Sequence, residues 1–273
     1  MKNKFDTIGK ALTLSVALLA TSAFADKAPA QPVGANPTPA ANTLTPEEEK
    51  AGWHLLWDGK TSEGWRSVKS EKFPTRGWSM KEGVLTVHDN QGEESTGGGD
   101  IITRKRYSNF ELVADFKITP GANSGIKIFV QPNLSPIDKK TGAKAAVGSA
   151  IGCEFQILDD ARHPDAKLGK DGNRTIGSLY DLIPAAADKK VEPVGEWNHA
   201  RILSHGKHVE FWLNGKMTVS FDRGSESFRK HVEQSKFKNI PEFGEWADGY
   251  ILLQDHGFMV SYRNLKLREL SPE

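Results

Sequence analysis

The stretch "GCEFQILDD", Gly152 to Asp160, decides how this chain is read. Its apolar side chains, Phe155 and Ile157, fall on alternate positions, and Glu154 and Gln156 occupy the positions between them. Successive strand residues point to opposite faces, so one face here is core and the other carries an acid and an amide. Asp159 stands at the end of the run, where a turn-capping role competes with a place in a site.

The same texture extends outward in both directions. "SGIKIFV" sets Ile126, Ile128 and Val130 against Lys127 and Phe129, and "YILLQDH" sets Ile251 and Leu253 against Leu252, Gln254 and His256. Turn signals at Lys81-Glu82-Gly83, Pro120-Gly121, His205-Gly206 and Asn214-Gly215 separate the extended runs, and Asn-Gly is a strong hairpin signal. Many short strands without a long amphipathic helix predict an all-β sandwich of two antiparallel sheets, with the Glu154 strand central in a sheet whose outer face is polar. Two Gly-, Pro- and charge-rich segments, 133–150 and 160–195, leave from either end of that strand and are expected to wall the polar face.

The N-terminus carries its own reading. Lys2, Lys4 and Lys10 precede the apolar run "ALTLSVALLA", and "AFA" ends at Ala25, so residues 1–25 are expected to be a signal peptide and the protein periplasmic or secreted. The apolar run falls short of the ~20 residues needed to span a bilayer, so no membrane anchor is expected after cleavage. Residues 26–46, "DKAPAQPVGANPTPAANTLTP", read as a flexible Pro/Ala-rich lead, and residues 47–273 as one domain. Thr45-Pro46 before three glutamates marks a short helix start.

Thirty-six basic and 35 acidic residues nearly cancel, which argues against a nucleic-acid partner. The single Cys153 cannot form an internal disulfide and is expected to be a buried free thiol. No dinucleotide-binding strand-turn-helix is present.

The successive blocks "WHLLWDGKTSEGW", "NFELVADFKITPGANSGIKIF", "CEFQILDD", "GSLYDLIP", "GEWNHARILSHGKHVEFWLNG" and "ILLQDHGFMVSYRNLKLREL" resemble those of the 3-keto-disaccharide hydrolase family, from about Gly52 to Leu270. The resemblance implies a concanavalin A-like jelly roll and activity on glycosides oxidised to a ketone at carbon 3. A separate sugar 3-dehydrogenase would then have to act upstream. One departure is Phe129, where the family's strand tends to carry an arginine.

"EFQILD" can also be laid against the Glu-x-Asp-x-x-Glu strand of laminarinase-type hydrolases, as Glu154, Gln156 and Asp159. In this chain the middle acid is an amide and the last acid is shortened, whereas double displacement needs two carboxyls about 5–5.5 Å apart. A 3-ketone permits another route: it acidifies the proton on carbon 2, so a base can remove that proton and the aglycone can leave from carbon 1. Such a site needs a base, a donor for the leaving oxygen and a cation for the oxyanion. The candidate catalytic residues are Glu154, His256, Gln156 and Asp159. Candidate substrate contacts are Lys127, His163, Tyr180, Trp246 and Gln254. No compact metal motif is present, and a divalent metal could bind only if Glu154 and His256 converge. Two other readings stay open: a non-catalytic carbohydrate-binding module, and a laminarinase-type hydrolase.

Overall fold

Asn-Gly at 214–215 and Glu-Gly at 82–83 make two-residue turns with positive φ at both positions, the conformation that closes a tight hairpin with the twist of its strands. These hairpins belong to a computed structural model in which residues 40–137, 140–144 and 149–272 are described. The expected signal peptide and most of the expected lead, within residues 1–39, lie outside the described residues.

In chain order the elements begin with α1 (Pro46–Lys50), β1 (His54–Leu55), β2 (Trp65–Ser67), β3 (Trp78–Lys81), β4 (Val84–Val87), β5 (Ile101–Thr103) and β6 (Phe110–Ile118). They continue with β7 (Asn123–Gln131), β8 (Ile151–Leu158), β9 (Trp197–His205), β10 (His208–Leu213) and β11 (Lys216–Asp222). Last come α2 (Glu226–Glu233), β12 (Tyr250–Leu253) and β13 (Val260–Glu269). The larger sheet runs β11-β10-β9-β6-β13-β4-β3, with β1 also on β13, and the smaller runs β2-β5-β12-β7-β8. Among the described residues every pairing between these strands is antiparallel, giving the jelly-roll sandwich of two sheets.

Aromatic side chains join the layers. Phe155 of the smaller sheet meets Phe116 and Phe211 of the larger edge-on, with ring centroids 6.4 and 5.4 Å apart. Ile126, Ile128, Ile157, Ile251 and Leu253 fill the same interior. Cys153 is buried there as a free thiol, and burial pushes it up to about 12.

The Pro120-Gly121 turn carries the chain from β6 in one sheet to β7 in the other. Other expectations need correction. Phe129 and Val130 exchange faces: Phe129 joins the interior, while Val130 packs outside with Ile102, Ala150 and Leu252. A register shift between Ile128 and Gln131, with Phe129 at φ 55°, breaks the two-residue period at that point.

β8 is not central but an edge strand. Its outer side bonds to the loop beyond it: the Gln156 N–H donates to the Ser178 carbonyl, and the Gly177 and Tyr180 N–H groups donate to the Gln156 and Glu154 carbonyls. The lead is also shorter than its composition suggests. Asn42 exchanges hydrogen bonds with Asn264 and donates to the Gly83 carbonyl, so the chain is fastened to the sandwich from there.

Candidate active site

The site is built on three adjacent strands. Lys127 of β7 stands opposite Glu154 of β8, and Gly125 opposite Gln156. On the other side of β7, Leu252 pairs with Lys127, and the Gln254 N–H donates to the Gly125 carbonyl at 3.0 Å. Lys127, Glu154, Gln156, Gln254 and His256 therefore open on the outer face of the smaller sheet, into one cleft of about 530 Å³. Gly125 leaves the space that the Glu154 side chain fills: a Cβ there would stand 2.3 Å from Glu154 Oε1.

Glu154 is buried and held from two sides. Lys127 Nζ lies 3.5 Å from its Oε2. With the Gln156 amide turned so that its nitrogen faces the acid, that nitrogen donates to Glu154 Oε1 at 3.0 Å and to the Ser124 carbonyl at 3.3 Å. Lys127 also donates to Ser149 Oγ (2.5 Å) and the Ala150 carbonyl (3.2 Å), and the Ser149 hydroxyl donates to Asp100 Oδ2 at 2.5 Å. Asp100 is wholly buried, and burial raises its carboxyl against the pull of Lys127.

The loop 160–195 supplies one wall. His163 Nδ1 accepts the Asp165 N–H at 3.2 Å, so the neutral ring carries its hydrogen on Nε2. Burial, then the neighbouring His256 ring with its centroid 6.2 Å away, push His163 below its ordinary value. The Tyr180 hydroxyl donates to Asp165 Oδ2 at 2.9 Å, and burial together with the charges of Glu154 and Asp165 raises it well above the usual phenol range. Arg174 anchors this wall by pairing with Asp165 and Asp181 at 2.8 and 2.7 Å. Pro136, Ser149 and Ala150 from the 133–150 segment line the cleft as well. Gln254 Oε1 and His256 Nδ1 are buried there without a protein partner.

Seven of the nine residues expected at the site thus meet in the cleft: Lys127, Glu154, Gln156, His163, Tyr180, Gln254 and His256. Lys127 is no solvated surface side chain but 5% exposed. Asp159 and Trp246 are corrections. The Asp159 carboxylate accepts the Gly121 and Ala161 N–H groups and pairs with Arg162, capping the strand end. Burial alone would raise that carboxyl, but these partners hold it below its ordinary range. Trp246 packs edge-on against Phe243, with its carbonyl accepting from Arg223, outside the cleft. Phe129 also lies away from the cleft, under the Arg223 guanidinium at 3.7 Å, so the departure noted there does not touch the lining.

A third wall escaped the sequence reading. Lys236, Phe237 and Ile240, just after α2, close the cleft, and Glu94, Asn123 and Asp165 add polar groups. Lys236 is open to the solvent of the cleft yet surrounded by protein on its other sides, and this crowding lowers its ammonium against the opposing pull of Glu154. Among the described residues no three His, Cys, Asp or Glu side chains gather closely enough to hold a metal ion, and Glu154 already faces a lysine. A metal held between Glu154 and His256, which the sequence reading left open, would therefore lack a further protein ligand among them.

The profile of the 3-keto-alpha-glucoside-1,2-lyase-like domain matches residues 52–268. A 3-keto-disaccharide hydrolase of Bacteroides thetaiotaomicron is 33% identical over 231 residues, covering 80% of this chain and 79% of its own. A crystal structure of a candidate glycosyl hydrolase from Parabacteroides distasonis is 31% identical with a TM-score of 0.69, covering 85% of this chain and all of its own. A second such structure from that organism is 29% identical with a TM-score of 0.56, covering 80% of this chain and 99% of its own. The matched span runs from ahead of β1 to within one residue of the end of β13, and by that measure the chain belongs to the 3-keto-alpha-glucoside-1,2-lyase-like family.

Proposed function

We propose that the protein cleaves 3-keto-glycosides by elimination across carbons 1 and 2 followed by hydration. The observation that carries this reading is the opening of Glu154 and His256 into one cleft, with an amide, Gln156, beside the acid. The Bacteroides relative, a 3-keto-disaccharide hydrolase by name, supplies the substrate class. Glu154, as a carboxylate, takes the proton from carbon 2, and electrons move into the ring as the enolate of the 3-ketone forms. The bond from carbon 1 to the aglycone oxygen then breaks, and His256 hands that oxygen a proton. Water adds to carbon 1 of the unsaturated ketone, carbon 2 regains a proton, and the sum is hydrolysis. Lys236 supplies positive charge toward the ketone end, while Gln254, Tyr180 and His163 bind sugar hydroxyls.

This route needs no second carboxylate as nucleophile, which favours it over double displacement on this strand. It also requires a separate oxidation of the sugar at carbon 3 by a dehydrogenase. We read the N-terminal 25 residues as an export signal, placing the reaction in the periplasm or outside the cell. The test is product release from a 3-keto-glucoside and its unoxidised parent in deuterated water. Cleavage of the keto substrate alone, with deuterium at carbon 2, is expected. Cleavage of the parent, or a product without deuterium at carbon 2, would overturn elimination, and saturable binding with no cleavage would favour a binding module.

A further inference from the structure

A ketone reacts with amines, and two lysines reach this cleft in very different settings. Lys127 is buried, and its ammonium is committed to Ser149 Oγ, the Ala150 carbonyl and Glu154. Lys236 has no such commitments. Among the described residues no carboxylate oxygen comes within the 4.0 Å of an ion pair with its Nζ. The amine instead stands over the Tyr180 ring at 4.3 Å and near the Phe237 ring at 5.3 Å. Its backbone is fixed, because the Lys236 N–H donates to Asp181 Oδ2 at 2.8 Å.

We infer that Lys236 is a covalent catalyst that condenses with the carbon-3 ketone of the substrate to form an iminium ion; the inference rests on the 3-keto-glycoside reading. Nζ attacks carbon 3, and the carbonyl oxygen departs as water. The positively charged C=N then withdraws electrons from carbon 2 more strongly than the ketone did. Loss of the carbon-2 proton to Glu154 gives an enamine, whose electrons expel the aglycone oxygen from carbon 1. Water adds to carbon 1, carbon 2 regains a proton, and a further water hydrolyses the iminium. The amine is restored, and one water is consumed in total. Amine nucleophiles of this kind work in sites that hold part of the lysine population uncharged, by desolvation or by neighbouring cations. The crowding around Lys236 and the charges of Lys127 and Arg174 act in that direction, against Glu154 and Asp181. Glu154 lines the same cleft and its charge acts on the Lys236 amine.

The discriminating variant is Lys236→Arg, which keeps the positive charge but cannot form an iminium. The side chain is exposed, so the variant is expected to melt with the parent protein. Full-length protein is mixed with a 3-keto-glucoside and reduced with borohydride. Peptide mapping should then find Lys236 carrying the mass of 3-keto-glucose less one oxygen. Lys236→Arg should cleave the keto substrate about 100-fold more slowly or worse, the scale on which loss of a positioned acid-base or nucleophilic group is felt. Near-parental turnover by Lys236→Arg, or no adduct at Lys236 while the parent protein cleaves the keto substrate, would overturn covalent catalysis and leave elimination standing. If the parent protein fails to cleave any keto substrate, the functional reading falls and takes this inference with it.

Discussion

Replacing Gly125 with alanine tests whether the position of the Glu154 carboxylate matters to turnover, because the change adds one carbon and no charge. That carbon would stand 2.3 Å from Glu154 Oε1 and 2.8 Å from the atoms behind it. Ordinary contact begins at 3.4 Å, so the carboxylate must retreat by about 1 Å. Retreat lengthens both of its supports, the 3.0 Å bond from Gln156 and the 3.5 Å approach of Lys127. A displacement of about 1 Å in a reacting group costs on the order of 100-fold in rate.

Stability should change little. Alanine restricts the unfolded chain by about 0.4–1 kcal/mol in favour of folding, which offsets the weakened ion pair, and the obstructing atoms belong to a side chain that can move. A melting temperature within about 4 °C of the parent is expected, since 1 kcal/mol moves a domain of this size by roughly 2–4 °C. Steady-state kinetics on a 3-keto-disaccharide and a thermal melt measure the two effects. Parental kcat in Gly125→Ala would refute a catalytic role for the carboxylate in its present position. A collapse in melting temperature would refute the claim that the acid gives way rather than the sheet.

Two further outcomes follow from partners already named. His163 is held below its ordinary 6.5 by burial and by His256, so as pH falls the unfolded chain binds its proton first; stability should decline from about pH 6.5 through the lowered folded value. His163→Asn keeps a capping acceptor for Asp165 and should flatten that part of the stability profile in denaturant titrations; an unchanged profile would show that His163 does not contribute to it. Asp159→Ala should lower stability by about 1–3 kcal/mol, because it leaves the Gly121 and Ala161 N–H groups without their acceptor, while kcat stays within about twofold. A large loss of kcat at unchanged stability would return Asp159 to the chemistry.

The floor of the cleft was legible because a strand has only two faces. Alternation in three short runs was enough to place Lys127, Glu154, Gln156, Gln254 and His256 together. Parity failed at Phe129, where a single residue with positive φ shifts the register and turns Val130 outward. Nothing in a linear pattern announces such a bulge when the residue is not glycine. Lys236 was invisible for another reason. It lies 82 positions beyond Glu154 in a segment with no strand period, and only the folded chain brings it to Tyr180. Asp159 looked like a site residue because an acid ending a strand is equally suited to capping a turn, and the choice depended on Gly121, whose N–H is supplied from the β6–β7 connection.

The backbone bonds between β8 and the Gly177–Tyr180 segment also concern association. An edge strand offers unpaired N–H and C=O groups to any extended chain that meets it, and β8 is rich in the apolar residues that favour such pairing. Here the loop that walls the cleft is also the guard on that edge. Trimming it to open the site for bulkier aglycones would strip both protections at once, leaving an exposed β-edge prone to self-assembly. An engineered variant with a wider cleft should therefore keep 177–180 intact, along with Asp165, which holds Arg174 and Tyr180 in the wall.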